Sequence, residues 1–209
     1  WLQWLVPKLA RRVRRILTVS QYSKNRIAEI CRVSPDKIHV VHNGVDPRFR
    51  PASAAEIAAA RARCNLPEEY VLSVGSLEPR KNLPRLLEAW QLVSGHLTRD
   101  QTQQTIPKLV LVGATADVFA SAKLDAPAES VVLTGYVPDD MLPALYSGAT
   151  AFVYPSMYEG FGLTVLEAMA CGTPVVCSST TSLPEVAGDA AVLVDPHDVA
   201  AIGYAIQNL

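Results

Sequence analysis

Between Tyr70 and Asp195 the chain repeats one pattern: a short run of apolar residues, then a turn, then a stretch with helical spacing. The runs are YVLSVG, KLVLVG, SVVLTG, ATAFVYP, PVVCS and AVLVD. Apolar on both faces, they suit strands covered on both sides rather than strands with one wet face, and that is the habit of parallel sheets. The intervening stretches are Ala54–Cys64, Leu83–His96, Asp117–Leu124, Asp139–Ser147, Gly162–Cys171, a turn of helix over Pro184–Ala187, and a final helix from Asp198. Alternation of this kind predicts an α/β fold with a doubly wound, Rossmann-like parallel sheet.

The first part of the chain is built differently. WLQWLVPKLARRVRR reads as an apolar then basic helix and ILTVS as a short strand; Ser23 caps a helix through Cys31, and Ile38–His42 is a second strand ending at Asn43-Gly44. Pro47 and Pro51 give Asn43–Ala52 the chemistry of a linker. Residues 1–50 hold 11 Lys+Arg against 3 Asp+Glu, about +8, which leaves about −9 for the remainder. Such a split suits a basic arm for nucleic acid or anionic lipid, or the edge of one domain joined to another. The absence of an initiating Met favours the joined fragment.

The composition, 49% hydrophobic and 19% charged, excludes disorder and fibres. No apolar run reaches the roughly 18 to 20 residues of a membrane helix, and the start lacks signal-peptide organisation, so a soluble, cytoplasmic chain is expected. Cys31, Cys64, Cys171 and Cys177 have no Cys-x-x-Cys spacing and sit in apolar segments, as buried reduced thiols do. The four His residues are scattered and no Asp-x-Asp occurs, so no metal site is expected.

In doubly wound sheets ligands bind beyond the carboxyl ends of the strands, which directs attention to Gly75–Asn82, Gly135–Asp140 and Pro155–Glu167. In GSLEPRKN, Gly75 permits close backbone approach while Arg80 and Lys81 stand near a helix N-terminus. Two cations at the positive end of a helix dipole are unfavourable unless an anion lies between them, and a diphosphate would supply it. The bland reading is a solvated turn with two surface cations. Neither a Walker loop nor a GxGxxG fingerprint is present.

The second segment is EGFGLTVLEAMACGTPVV. Glu159 lies in a loop bracketed by Gly160 and Gly162, and Glu167 lies eight residues on, in the following helix. The bare glycines leave helix N-terminal amides open to an oxygen-rich ligand, and a buried Glu167 needs a hydrogen-bonding partner such as a ribose diol. Alternatively Glu167 is the wet position of an amphipathic helix that stops at Gly172-Thr173-Pro174. A paired-carboxylate hydrolase is disfavoured, because both carboxylates come from one loop and helix.

VGSLEPRKNL, GYVPDDMLPALYSGATAFVYPSMYEGFGLTVLEAMACGTPVV and SLPEVAGDAAVLVDP together resemble the donor half of retaining glycosyltransferases of family 4, which have the GT-B fold of two facing Rossmann-like domains. ILTVSQYSKNRI and VVHNGVDPRFRP are similar to the end of such an enzyme's N-terminal domain and its crossover. The resemblance implies residues 1–46 as that end and linker, and 47–209 as a C-terminal donor-binding domain truncated at its C-terminus. It implies that Arg80 and Lys81 meet the nucleotide diphosphate, that Glu159 and the backbone at Gly160, Phe161, Gly162, Leu163 and Thr164 hold the donor sugar, that Glu167 binds the ribose, and that Tyr136 and Val137 flank the base. Gly75 and Ser76 would line the phosphates, although many members carry Arg where Ser76 stands.

The implied reaction is metal-independent transfer of a sugar, with retention, from a nucleotide-diphosphate sugar to an acceptor hydroxyl, with no cofactor besides the donor. Arg80, Lys81 and helix amides would stabilise charge on the leaving diphosphate. The style of VGSLEPRKN points first to GDP-mannose and surface polysaccharide synthesis, with uridine donors open. Most of an acceptor domain is missing, so this chain is expected to bind donor without turnover. The alternatives are a non-catalytic nucleotide-sugar binding module and a nucleotide-sugar epimerase. Lys8–Arg15, with Trp1 and Trp4, offers contact with the inner face of a membrane or is a surface helix of the missing domain; exposed Trp1, Trp4 and Leu5 offer self-association. Nucleic acid is not an expected partner.

Overall fold

The computed structural model describes residues 2–76, 78–97, 107–113 and 130–209. In chain order it contains α1 (Leu2–Arg12), β1 (Ile16–Thr18), α2 (Gln21–Cys31), β2 (Ile38–Val40), α3 (Ala54–Cys64), β3 (Tyr70–Val74), α4 (Leu83–Leu97), β4 (Lys108–Val112) and β5 (Val131–Gly135). There follow α5 (Leu142–Ser147), β6 (Ala151–Tyr154), α6 (Leu163–Ala170), β7 (Val175–Ser178), α7 (Leu183–Ala187), β8 (Val192–Val194) and α8 (Val199–Gln207). The helix expected over Asp117–Leu124, Trp1, and Leu77 of the GSLEPRKN loop lie outside the described residues.

β3 to β8 form one six-stranded parallel sheet in the order β5-β4-β3-β6-β7-β8, and β1 pairs with β2 in a separate parallel pair. The chain winds outward through β4 and β5, returns to β6 beside β3, and winds out the other way. The expected doubly wound topology is thus present, with its switch point between β3 and β6. The loops after these two strands contain Arg80, Lys81 and Glu159.

The strands divide their side chains between two cores by simple alternation. Tyr70, Leu72, Val110, Val112, Phe152, Tyr154, Val175 and Cys177 face one side, under α3, α5, α6 and α7. Val71, Leu109, Leu111, Val153, Val176 and Val194 face the other, under α4 and α8. Trp90 of α4 is 1% exposed and donates its indole N–H to the Ser130 carbonyl at 3.1 Å, so the largest side chain of that core has no orphaned polar atom. Cys31, Cys171 and Cys177 are buried thiols and Cys64 is half-buried, with no disulfide among them.

Side-chain caps mark the starts of α2, α3 and α8, whereas α5, α6 and α7 have none, and two starts differ from expectation. The hydroxyl that caps α2 is Ser20, not Ser23: it accepts from the Ser23 N–H at 3.0 Å, so the helix begins three residues earlier than expected. Ser53 and Glu56 complete a capping box at α3. The helix expected from Asp139 begins only at Leu142, with Pro143 in its first turn. In α1, Leu5 is partly covered, while Trp4, Val6 and Leu9 are exposed, so the apolar surface there involves residues other than those expected. Two cations counted in the basic first quarter also do internal work: Arg11 donates to the Cys31 carbonyl at 3.0 Å, and Lys37 to the Ala10 and Arg11 carbonyls at the end of α1, each at 2.9 Å. Among the described residues no helix is long and apolar enough to cross a membrane.

Candidate functional site

The site is built at the switch point. Beyond β3 the chain turns at Gly75, whose carbonyl comes so near Gly113 that a Cβ there would sit 2.8 Å from it. Gly113, at φ +84°, keeps the ends of β3 and β4 together where a side chain would part them. A 3-10 turn over Pro79–Lys81 then sets Arg80 and Lys81 just before α4.

Both cations are turned toward the loop after β6. Arg80 Nη1 lies 2.8 Å and Lys81 Nζ 2.9 Å from Glu159 Oε1, and the same oxygen accepts from Tyr154 Oη and Ser156 Oγ, each at 2.8 Å. Lys81 Nζ also bonds Tyr154 Oη. Burial of Glu159 opposes its ionisation, but the hydrogen bonds from Lys81, Tyr154 and Ser156 outweigh it and hold the carboxyl below its ordinary pKa. The anion that the helix-dipole argument requires between the cations is therefore a carboxylate of the chain itself.

The two cations are held unequally. Lys81 is 11% exposed and enclosed by Glu159 and Tyr154, whereas Arg80 is 38% exposed and shares its guanidinium with Glu78, through Nε at 2.8 Å. Glu78 itself is open to solvent, and exposed ion pairs contribute little because water and salt screen them. Arg80 can exchange Glu78 for another anion at small cost, while Lys81 orients Glu159. Ser76 donates its hydroxyl to Glu78 at 2.7 Å and so belongs to the same small network.

The glycine loop is fastened through its backbone. Ser182 Oγ lies 2.9 Å from both the Glu159 and Phe161 carbonyls, Thr181 Oγ1 accepts from the Glu159 N–H at 3.3 Å, and the Gly160 carbonyl receives the Ser20 and Ser23 hydroxyls at 2.7 and 3.0 Å. Thr181 sits at φ +61°, a left-handed conformation that β-branched residues rarely adopt and that costs about 1 to 3 kcal/mol. Gly162 precedes α6 at φ +113°, and a Cβ there would lie 2.5 Å from Leu183 Cδ2. Gly162→Ala should therefore cost about 1 to 3 kcal/mol in urea unfolding, since Leu183 is fully buried and cannot retreat. An unchanged midpoint would show that the loop simply moves aside.

Glu167, on α6, is neither fully buried nor simply wet. It is half-buried and accepts the Tyr146 hydroxyl at 3.1 Å. Burial pushes its carboxyl above the ordinary value, and the Tyr146 hydrogen bond only partly offsets this. Because the folded value is raised, the contribution of neutral Glu167 to stability is present below its unfolded pKa and is lost as pH rises through the folded one. Val137 is a buried member of the core, while the adjacent Tyr136 is 84% exposed, so of this pair only Tyr136 offers a ring face to solvent. Leu163 is exposed and Thr164 half-buried at the start of α6.

Tyr154, Ser156, Tyr146, Ser20, Ser23, Thr181, Ser182 and Glu185 are contributors that sequence reasoning did not reach. A signal was present in YPSMYEG, where Tyr154 and Ser156 flank a strand end five and three residues before Glu159. The serines of α2 gave none, since their partner lies 137 or more residues away. A cavity of about 590 Å³ lies elsewhere, between α3, α5 and the linker, with Arg48, Arg50, Arg63 and Glu56 in its wall. None of the expected site residues lines it. Among the described residues no three His, Cys, Asp or Glu side chains gather as a metal site.

Comparison with known proteins shows the family. Residues 56–209 match the family described as glycosyl transferases group 1, and residues 1–49 match glycosyltransferase family 4. The chain is 42% identical over 200 residues to O-antigen chain mannosyltransferase B of Escherichia coli, covering 93% of this chain and 51% of that protein. It is 32% identical over 206 residues to the serotype-specific mannosyltransferase WbdA of the same organism, covering 94% of this chain and 25% of the relative. It thus spans about half or less of these relatives. Among solved structures, sucrose-phosphate synthase from Thermosynechococcus elongatus superposes with a TM-score of 0.77 at 25% identity, over 99% of this chain and 51% of that one. Anabaena HepE, in its complex with UDP-glucose, superposes with a TM-score of 0.80 at 20% identity, over 99% and 57%. With its doubly wound sheet and a match over most of its length, the chain belongs to the group 1 glycosyl transferases.

Proposed function

We propose that this chain is the donor-binding part of a retaining, metal-independent mannosyltransferase of surface polysaccharide synthesis, with residues 1–46 closing an acceptor domain and 47–209 holding the nucleotide-sugar. The observation that carries this reading is the convergence of Arg80, Lys81 and Glu159 at the switch point of the sheet, beside the N-terminus of α6. Its support for mannose is the 42% identity to a protein named as a mannosyltransferase.

In this reading a nucleoside diphosphate enters beyond β3 and β6. Arg80 gives up the solvent-exposed Glu78 for the phosphates, while Lys81 stays on Glu159 and sets its carboxylate toward the sugar hydroxyls. The ribose diol hydrogen-bonds Glu167, whose Tyr146 contact fixes its direction. As the bond from the sugar to the diphosphate lengthens, negative charge grows on the leaving group, and Arg80 with the amides of Leu163 and Thr164 stabilises it. The acceptor must be held within attacking distance by a domain that residues 1–46 do not make up.

Titration with GDP, UDP, ADP and their sugar conjugates tests the reading. Binding of one nucleotide-sugar without acceptor-dependent release of nucleoside diphosphate is the expected result; no binding of any would overturn it, and robust turnover would overturn the fragment assignment. Glu167→Ala should weaken the nucleotide by about 1.5 to 3 kcal/mol, the range for a hydrogen bond to a charged group, with the fold retained. Equal affinity of variant and parent would remove Glu167 from the site.

A further inference from the structure

The glycine loop that bears Glu159 is fastened to a helix from the other end of the chain, and one carboxylate secures that attachment. Glu185, on α7, accepts the Gln21 N–H with both oxygens, at 2.8 and 2.9 Å, and the Tyr22 N–H at 3.3 Å, while His42 Nε2 lies 2.8 Å from Oε1. These are the first amides of α2, which no intrahelical carbonyl can satisfy, and a carboxylate is the group that the positive end of a helix favours. The seam lies at the surface, with His42 58% exposed, but the Glu185 side chain, 23% exposed, is turned in against the start of α2.

Held in this way, α2 presents Ser20 and Ser23 to the Gly160 carbonyl, between Glu159 and Phe161. Ser20 is fully buried and uses its hydroxyl twice, donating to Gly160 and accepting from the Ser23 N–H. Two ring contacts accompany the seam: Tyr22 meets Tyr158 edge-on with centroids 5.8 Å apart, and His42 lies 6.1 Å from Phe161. The residues on both sides of Glu159 are therefore contacted from the first segment of the chain.

We infer that Glu185 is a positioning residue for the donor sugar: it touches no donor atom, and by seating α2 it fixes the 158–161 loop, and so the carboxylate of Glu159, against the bound sugar. The inference rests on the donor-site reading above and adds to it a residue on α7 and a helix from the first segment. It separates two parts of the affinity. Contacts to phosphate and ribose come from Arg80 and Glu167: Glu167 lies outside the 158–161 loop, and Arg80, although it meets that loop at the Tyr158 carbonyl and the Glu159 carboxylate, is carried by its own 79–81 turn, so losing the seam should reduce chiefly the gain that the sugar adds.

Two measurements on the whole chain test this. In hydrogen exchange, Glu185→Ala should speed exchange at least tenfold at residues 158–162 as well as 20–24, with β3 and β4 exchanging as in the parent; faster exchange confined to 20–24 would overturn the coupling. In calorimetry with GDP and GDP-mannose, Glu185→Ala should bind GDP as the parent does and lose at least fivefold of the extra affinity for GDP-mannose. Glu185→Gln, which keeps one carbonyl acceptor for α2, should restore most of it. An equal loss for both ligands would mark Glu185 as merely structural and overturn the proposal. Absence of any nucleotide binding by the parent would instead overturn the donor-site reading, and exchange alone would then decide the coupling. Should Glu185→Ala fail to fold, Ser23→Ala removes one hydroxyl from Gly160 and leaves the cap of α2 intact; it should produce the same exchange pattern at 160–162, and unchanged exchange there would overturn the inference.

Discussion

Glu159→Ala should lower the stability of the chain by about 3 to 5 kcal/mol at neutral pH, the cost of stranding a covered charge by removing its partner. Lys81 and Glu159 are each 11% exposed, so water can do little to replace the lost carboxylate. Tyr154 and Ser156 would lose their acceptor at the same time. Urea unfolding checks the size, and its pH dependence checks the cause. Glu159 titrates lower in the folded than in the unfolded chain, so its contribution is complete above the unfolded carboxylate value of about 4.3 and fades as pH falls through the folded one. The gap between parent and variant should narrow on acidification; a gap that does not change as pH falls below the unfolded carboxylate value would mean that shape, and not charge, is what the alanine removes.

Neutralising Arg80 and Lys81 together should weaken a nucleoside diphosphate by about 1.5 to 3 kcal/mol, the charge-assisted bond that Arg80 makes to the phosphates, and a bare nucleoside by less than about 1. The single Arg80→Gln change should carry most of the phosphate-dependent loss and leave the fold intact, since Lys81 remains on Glu159. Calorimetry with both ligands decides. A parallel loss for nucleoside and diphosphate would make the pair a structural brace for Glu159 and nothing more.

What could be read in advance follows from the range of the interactions concerned. The strands were legible because parallel strands covered on both faces leave uninterrupted apolar runs, and α3 because Ala54–Cys64 is rich in alanine, the strongest helix former. The rule that ligands bind beyond the carboxyl ends of the strands singled out the loops that bear Arg80, Lys81 and Glu159, while the adjacency of β3 and β6 that joins them came from the structure. Their mutual pairing was not legible, because the charge that Arg80 and Lys81 need could equally come from a ligand, and 78 residues separate Lys81 from Glu159. Local patterns also misplaced the start of α2, where Ser20 and Ser23 are both good caps and only the burial of Ser20 under the glycine loop distinguishes them. Val137, which the resemblance sets beside the base, has its side chain in the core, while the adjacent Tyr136 is exposed, a difference that the local sequence does not mark.

The attachment of α2 also bears on the order in which the chain can fold. Its anchoring partners, Gly160 and Glu185, stand 137 to 164 residues further along the sequence, so closing these contacts carries a large loop-closure entropy and has to wait until β6, β7 and α7 have assembled. The pair β1–β2 is too small to hold α2 in place by itself. During synthesis residues 20–42 emerge long before the Gly160 and Glu185 surface that receives them, and until it forms the amides at the start of α2 lack their carboxylate. That interval is when this segment is most vulnerable to proteolysis, and it ends only when Glu185 arrives.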